Sequence, residues 1–197
     1  MNKFLKPHLL LLLLVITLFN SCKTVPIIRD KDFKNKQKAL IDDFKLYSYK
    51  EKLSEDDISH LASKIRVPKN KIKNTKLNNF VRSWEETTYL YGGTDKNGID
   101  CSSLMIHLYR YVFDTYLPRT SGEMYEDERF NYIESNQKLM EGDLVFFKID
   151  REKIVSHVGV YLKNDMFFSA SSTEGCNITS LKAQYWKKYY VGGSRLK

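Results

Sequence analysis

Ser102–Tyr116, SSLMIHLYRYVFDTY, is the stretch on which the fold turns. Its apolar residues Leu104, Met105, Leu108, Tyr109, Val112 and Phe113 recur at helical spacing and share one broad face. Downstream the period changes. Asp143–Ile149, Ile154–Leu162, Met166–Ala170 and Tyr189–Leu196 read as short strands, with turn signals at Gly142-Asp143 and Lys163-Asn164-Asp165. A helix followed by consecutive strands predicts an α+β domain with an antiparallel sheet.

Upstream, Phe80 to Tyr91 reads as a helix leading into Gly92-Gly93. Pro68 and the basic run that follows mark a break near residues 68–76. Residues 36–64 read as helical, with Ser54 as an N-cap ahead of Ile58, Leu61, Ala62 and Ile65. The polar segment Lys23 to about Asn35 reads as a tether. At the start of the chain, Lys3 and Lys6 precede the apolar run LLLLLLVITLF, Leu9 to Phe19. That run is too short to span a bilayer, which takes about 20 residues. It has the pattern of an export signal. It ends in Phe19-Asn20-Ser21-Cys22, which resembles a bacterial lipobox with Phe in place of the more usual Leu. Residues 1–21 therefore read as a lipoprotein signal, with Cys22 as the lipidated N-terminus. Residues 22–77 are then a tether and helical extension, favoured as a spacer, and 78–197 the main domain.

Composition narrows the classes. With 197 residues, 42% of them apolar and 13% aromatic, the chain holds enough for a packed core. Three cysteines, at 22, 101 and 176, make no disulfide scaffold and match no zinc pattern. The net charge of +8 favours acidic partners. For an exported chain that means lipid or cell wall, not nucleic acid. Nothing in the sequence calls for a metal, nucleotide or organic cofactor.

Two residues carry the candidate chemistry. Cys101 opens the central helix, where unpaired N–H groups and the helix dipole favour a thiolate, the nucleophilic form. Read alone, such a cysteine is more often structural, a small buried apolar residue or half of a disulfide with Cys176. His157 opens the strand His157-Val158-Gly159-Val160-Tyr161. A helix-borne cysteine and a strand-borne histidine suit a cysteine peptidase, whose imidazole takes the thiol proton and returns it to the leaving amine. Read alone, His157 is a half-buried strand residue. His107, two turns into the helix, His60 and His8 are weaker candidates.

Taken together, four blocks resemble one family. Tyr89-Leu90-Tyr91-Gly92-Gly93-Thr94 with Gly98-Ile99-Asp100-Cys101-Ser102-Ser103-Leu104 is similar to the nucleophile motif of the NlpC-type cell-wall cysteine peptidases. Leu117-Pro118-Arg119-Thr120-Ser121, Gly142-Asp143-Leu144-Val145-Phe146-Phe147 and His157-Val158-Gly159-Val160-Tyr161-Leu162 follow in the family's order, so the resemblance spans about residues 78–196. It implies a papain-like domain with Cys101 as nucleophile and His157 as general base and acid. Tyr89 would line the site and, with the Cys101 N–H, stabilise the oxyanion. Asp100 and Ser102 would bind substrate, since members that need a free N-terminal L-Ala hold its amine with these positions.

Two departures stand out. Ser103 replaces the usual glycine. The third catalytic position, often His and sometimes Asn or Gln, is Ser169, whose hydroxyl would orient the imidazole less firmly. Cys176 falls in an expected turn, and Tyr185, Trp186, Tyr189 and Tyr190 are expected to pack the last strand. The leading expectation is a lipid-anchored endopeptidase on peptidoglycan stem peptides at the cell envelope, in the outer membrane or periplasm. The alternatives are a catalytically impaired wall- or partner-binding lipoprotein on the same fold, and a thiol hydrolase of another amide.

Overall fold

The computed structural model describes residues 52–73 and 75–197. The expected signal, Cys22, the tether and the helix over residues 36–51 lie outside these residues. The first element is α1 (Glu55–Ile65), which begins where its cap predicts. The Ser54 hydroxyl accepts the Asp57 N–H and the Asp57 carboxylate accepts the Ser54 N–H, a reciprocal box that separates α1 from whatever precedes it. The helix expected over 36–64 is thus not continuous through 52–54. After a single tight turn at Lys69–Lys71, α2 (Lys76–Trp84) follows.

The expected helix from Phe80 to Tyr91 is corrected here. It stops at Trp84, and Glu86 takes a left-handed φ of 67°. The chain then leaves the helix because its backbone has partners elsewhere: Glu86 N–H donates to the Cys176 carbonyl, and Cys176 N–H to that of Thr87. A small hairpin, β1 (Thr94–Asp95) and β2 (Gly98–Ile99), leads into α3 (Cys101–Phe113). The short α4 (Ser121–Tyr125) and β3 (Phe130–Ile133) come next, both unforeseen in the sequence.

The sheet is completed by β4 (Leu144–Phe147), β5 (His157–Tyr161), β6 (Met166–Ser171), β7 (Gly175–Ser180) and β8 (Tyr190–Leu196). Its order is β3-β8-β4-β5-β6-β7, antiparallel at every pairing. The α+β expectation therefore holds. The turn expected around Cys176 does not: residues 172–174 make the turn, Gly175 opens β7 at φ 65°, and Cys176, the next residue of β7, pairs with Ala170. Tyr185 and Trp186 belong to a helix, α5 (Gln184–Tyr189), which delivers the chain into β8.

Apolar residues cover both faces of the central strands, so β4 reads as a continuous apolar run. One face, with Leu144, Phe146, Val158, Val160 and Phe168, packs on Leu104, Met105 and Leu108 of α3. Leu61 and Ile65 of α1 and Phe80 and Trp84 of α2 lie in the same buried cluster. The other face holds Val145, Phe147, Phe167, Leu181 and Trp186. Arg195 of β8 clamps Asp143, which precedes β4, through two hydrogen bonds of 2.8 and 2.7 Å.

Gly159 in β5 has no room for a side chain. A Cβ there would stand 2.8 Å from the Phe168 carbonyl oxygen and 2.8 Å from the Phe167 ring. Gly159→Ala is therefore expected to destabilise by about 1–3 kcal/mol, the usual cost of overpacking a closed core. Chemical denaturation of both proteins measures this; an unchanged midpoint would show that β5 and β6 part freely.

Candidate active site

Cys101 is the first residue of α3, and Asp100 is its cap. The Asp100 carboxylate accepts the Ser103 N–H at 2.7 Å, satisfying one unpaired donor of the first turn. The β1–β2 hairpin fixes how the chain enters. Gly93 is required there, because a Cβ would fall 2.3 Å from the Gly98 carbonyl oxygen. Asp100 N–H donates to that Gly93 carbonyl, and Tyr89 bridges to Ile99. The hairpin thereby sets Tyr89 beside the cysteine.

The sulfur is nearly closed off, with Cys101 9% exposed. Nearby backbone N–H groups of Val158, Ser102 and Cys101 itself act on it. These donors and the helix end favour a thiolate, yet burial outweighs them and pushes the thiol up to about 11, with Asp100 adding to the rise. The expectation of a lowered thiol is thus overturned by desolvation. His157 is driven the other way, down to about 4, by burial alone. Burial thus acts on both groups in favour of their neutral forms.

His157 approaches Cys101 through β5, whose next residue, Val158, shares a buried cluster with Cys101. No hydrogen bond joins the two side chains among the described residues. Such contacts are often loose without substrate. The imidazole packs beside two aromatic rings that touch each other, Trp186 at 5.0 Å and Phe147 at 5.7 Å between centroids. Its Nε2 is buried and has no hydrogen-bond partner among the described residues. Ser169 is buried on the adjacent strand, packed over Gly159 on the face that His157 occupies. It makes no hydrogen bond to the imidazole.

Tyr89 is half-buried. Its phenol is raised, first by burial and then by the charges that Cys101 and Asp100 would carry. It also lines a cleft of about 510 Å³ together with Tyr91, His157, Ser171, Tyr185 and Trp186.

Asp100 and Ser102 are already engaged. Arg119 donates to Asp100 Oδ1 at 3.2 Å, to Asp100 Oδ2 at 2.5 Å and to Ser102 Oγ at 2.7 Å. Burial would raise the Asp100 carboxyl, but Arg119, the Ser103 N–H and the Ser102 hydroxyl together hold it below the usual carboxylate value. Sequence reasoning quoted Arg119 within a family block and gave it no task. Its signal was a lone arginine beside a proline, with its partner far away in the chain. Trp186, expected as packing with a sugar-stacking surface the lesser alternative, lies against His157.

The other reactive side chains are accounted for. His107 is buried against Trp84, and its Nε2 lies 2.7 Å from the Thr94 carbonyl oxygen. Cys176 is a free, buried thiol pushed up to about 12 by burial, so no disulfide ties it to Cys101.

Comparison with known proteins bears directly on this arrangement. Residues 86–195 match the model of the NlpC/P60 family. The "Probable endopeptidase NlpC homolog" of Haemophilus influenzae is 32% identical, over 79% of this chain and 81% of its own length. The "Murein DD-endopeptidase MepS/Murein LD-carboxypeptidase" of Escherichia coli is 32% identical, over 73% of this chain and 70% of its own length. A solved NlpC/P60 protein from Bacillus cereus shares the fold, with a TM-score of 0.55 at 24% identity over 61% of this chain and 39% of that one. The cysteine at a helix start, the histidine at the head of a neighbouring strand and the antiparallel sheet beneath them have one common origin: the chain belongs to the NlpC/P60 family.

Proposed function

We propose that this protein is an exported, lipid-anchored cysteine endopeptidase that hydrolyses amide bonds in peptidoglycan stem peptides. One observation carries the chemistry: Cys101 opens α3 and lies in the same buried cluster as Val158, the residue after His157 on β5, so the nucleophile and the strand of the general base are packed together. Relatives named murein endopeptidases support the substrate class. They favour a cross-link involving diaminopimelate over the γ-D-glutamyl bond.

In this reading His157 takes the thiol proton as Sγ bonds to the scissile carbonyl carbon. The oxyanion is met by the Cys101 N–H and the Tyr89 hydroxyl. The C–N bond breaks and His157 gives its proton to the leaving amine. Water then hydrolyses the thioester and frees Cys101. A neutral imidazole, which burial favours, suits this order, because the ring is already the base.

Asp100 and Ser102, buried beside the nucleophile, already hold Arg119. A substrate ammonium must share a carboxylate whose charge a guanidinium already balances, so a free N-terminal amine gains little there. Blocking that amine is expected to change kcat/KM by less than about tenfold. Paired free and N-acetylated stem peptides check this, and a loss of a thousandfold would show that Asp100 leaves Arg119 to take the amine.

The assay for the function uses the chain from Lys23 onward with purified peptidoglycan and defined muropeptides, products being read by mass. New fragments absent with Cys101→Ala name the bond. No fragments from the folded, reduced protein would favour the binding lipoprotein, the reading that His157 without an acceptor at Nε2 supports. The anchor is tested separately: Cys22→Ser should lose the lipid mass and leave the membrane fraction.

A further inference from the structure

A peptidase histidine must keep one orientation through two proton transfers, and a hydrogen-bond acceptor on the far ring nitrogen ordinarily supplies it. Here Ser169 does not reach the ring, and Nε2 finds no acceptor among the described residues. The imidazole torsion is intrinsically broad. Something else must hold the ring. Trp186 lies against it, with centroids 5.0 Å apart and the planes 31° from parallel. Trp186 is itself wedged by Phe147 at 4.9 Å, Phe167 at 5.2 Å and Tyr185 at 5.1 Å, all nearly edge-on. Its own rotamer is therefore fixed, and it offers His157 a rigid plate.

We infer that Trp186 is the positioning residue of His157, its ring face doing by stacking what an acceptor on β6 would do by hydrogen bonding. This rests on the reading of His157 as general base. Trp186 also lines the cleft, so a purely substrate-binding role is the rival to be separated.

Three variants and two readouts decide it. Trp186→Leu should lower kcat at least about tenfold with KM changed less than about twofold, as expected for a group acting through the base. Trp186→Phe, which keeps a ring face, should stay within about threefold of the parent. Ser169→Asn placed in the Trp186→Leu protein supplies an acceptor for Nε2–H, and should recover about fivefold or more. Should Trp186→Leu lose its fold by circular dichroism, Trp186→Met fills the space without a ring face and carries the same expectation. A rise in KM with kcat unchanged, or no recovery from the asparagine, overturns the inference.

The second readout needs no substrate. Imidazole C–H resonances of His157 should be single and sharp in the parent and broadened in Trp186→Leu. Unchanged resonances overturn the inference even if no muropeptide is cleaved, whereas absent cleavage with the expected broadening counts against the proposed function alone.

Discussion

Cys101→Ala will lower muropeptide cleavage by roughly ten-thousandfold or more, to the background of the assay, while leaving the fold intact. Removing the nucleophile of such a dyad costs that much because no other group can form the acyl intermediate. His157→Ala should lose nearly as much, since the two act as a unit and their losses are not additive. The fold is expected to survive the first change. Cys101 lies at the edge of the apolar cluster, its loss removes one sulfur atom, and the Asp100 cap still holds Ser103. Equal cleavage by the variant would remove Cys101 from the chemistry.

The second large effect is of pH, on both stability and thiol reactivity. His157 and His107 are each held down to about 4 by burial, against about 6.5 when unfolded. Between those values the unfolded chain binds protons that the folded one refuses, so stability falls as pH falls. The contribution is complete above pH 6.5 and gone near pH 4, at roughly 3 kcal/mol for each histidine. Below that, protonation of Asp100 breaks its pairing with Arg119 and continues the decline. Thermal unfolding between pH 7.5 and 4.5 should show a steep drop. His107→Gln, which keeps a donor for the Thr94 carbonyl, should flatten it. A midpoint constant over that range would mean that both rings stay hydrated.

The same burial governs the thiol. With Cys101 pushed up to about 11 and His157 down to about 4, burial works against a stored thiolate–imidazolium pair. Alkylation of Cys101 by iodoacetamide should climb steadily from pH 7 to 10, about tenfold per unit. A rate already at its plateau by pH 5 would reveal a preformed ion pair.

Much of this was legible from residue order. The α3 face, β4, β5, β6 and β8 announce themselves because each apolar run faces a buried layer. The nucleophile and histidine segments were recognisable in the sequence because short blocks carry both fold and chemistry. What escaped depends on groups distant in sequence. The stop of α2 is set by Cys176, ninety residues away, whose backbone takes over the hydrogen bonds of Glu86 and Thr87. The segment Gln184–Tyr189 is aromatic enough to pass for a strand, and only its docking on Phe147 and Phe167 makes it a helix. The Arg119 task follows from a pairing across α3, and the thiol shift from a burial that no local pattern reports.

The place of β8 in the sheet bears on when the fold can close. This strand is the last of the described elements to be synthesised, yet it lies between β3 and β4 and pairs with both. A nascent chain that stops before Tyr190 has β3 unpaired, Asp143 without Arg195 and a sheet split beside its centre. Contacts closed this late and across this much chain are slow to form. Closure of the sheet that carries His157 thereby waits until β8 has been made.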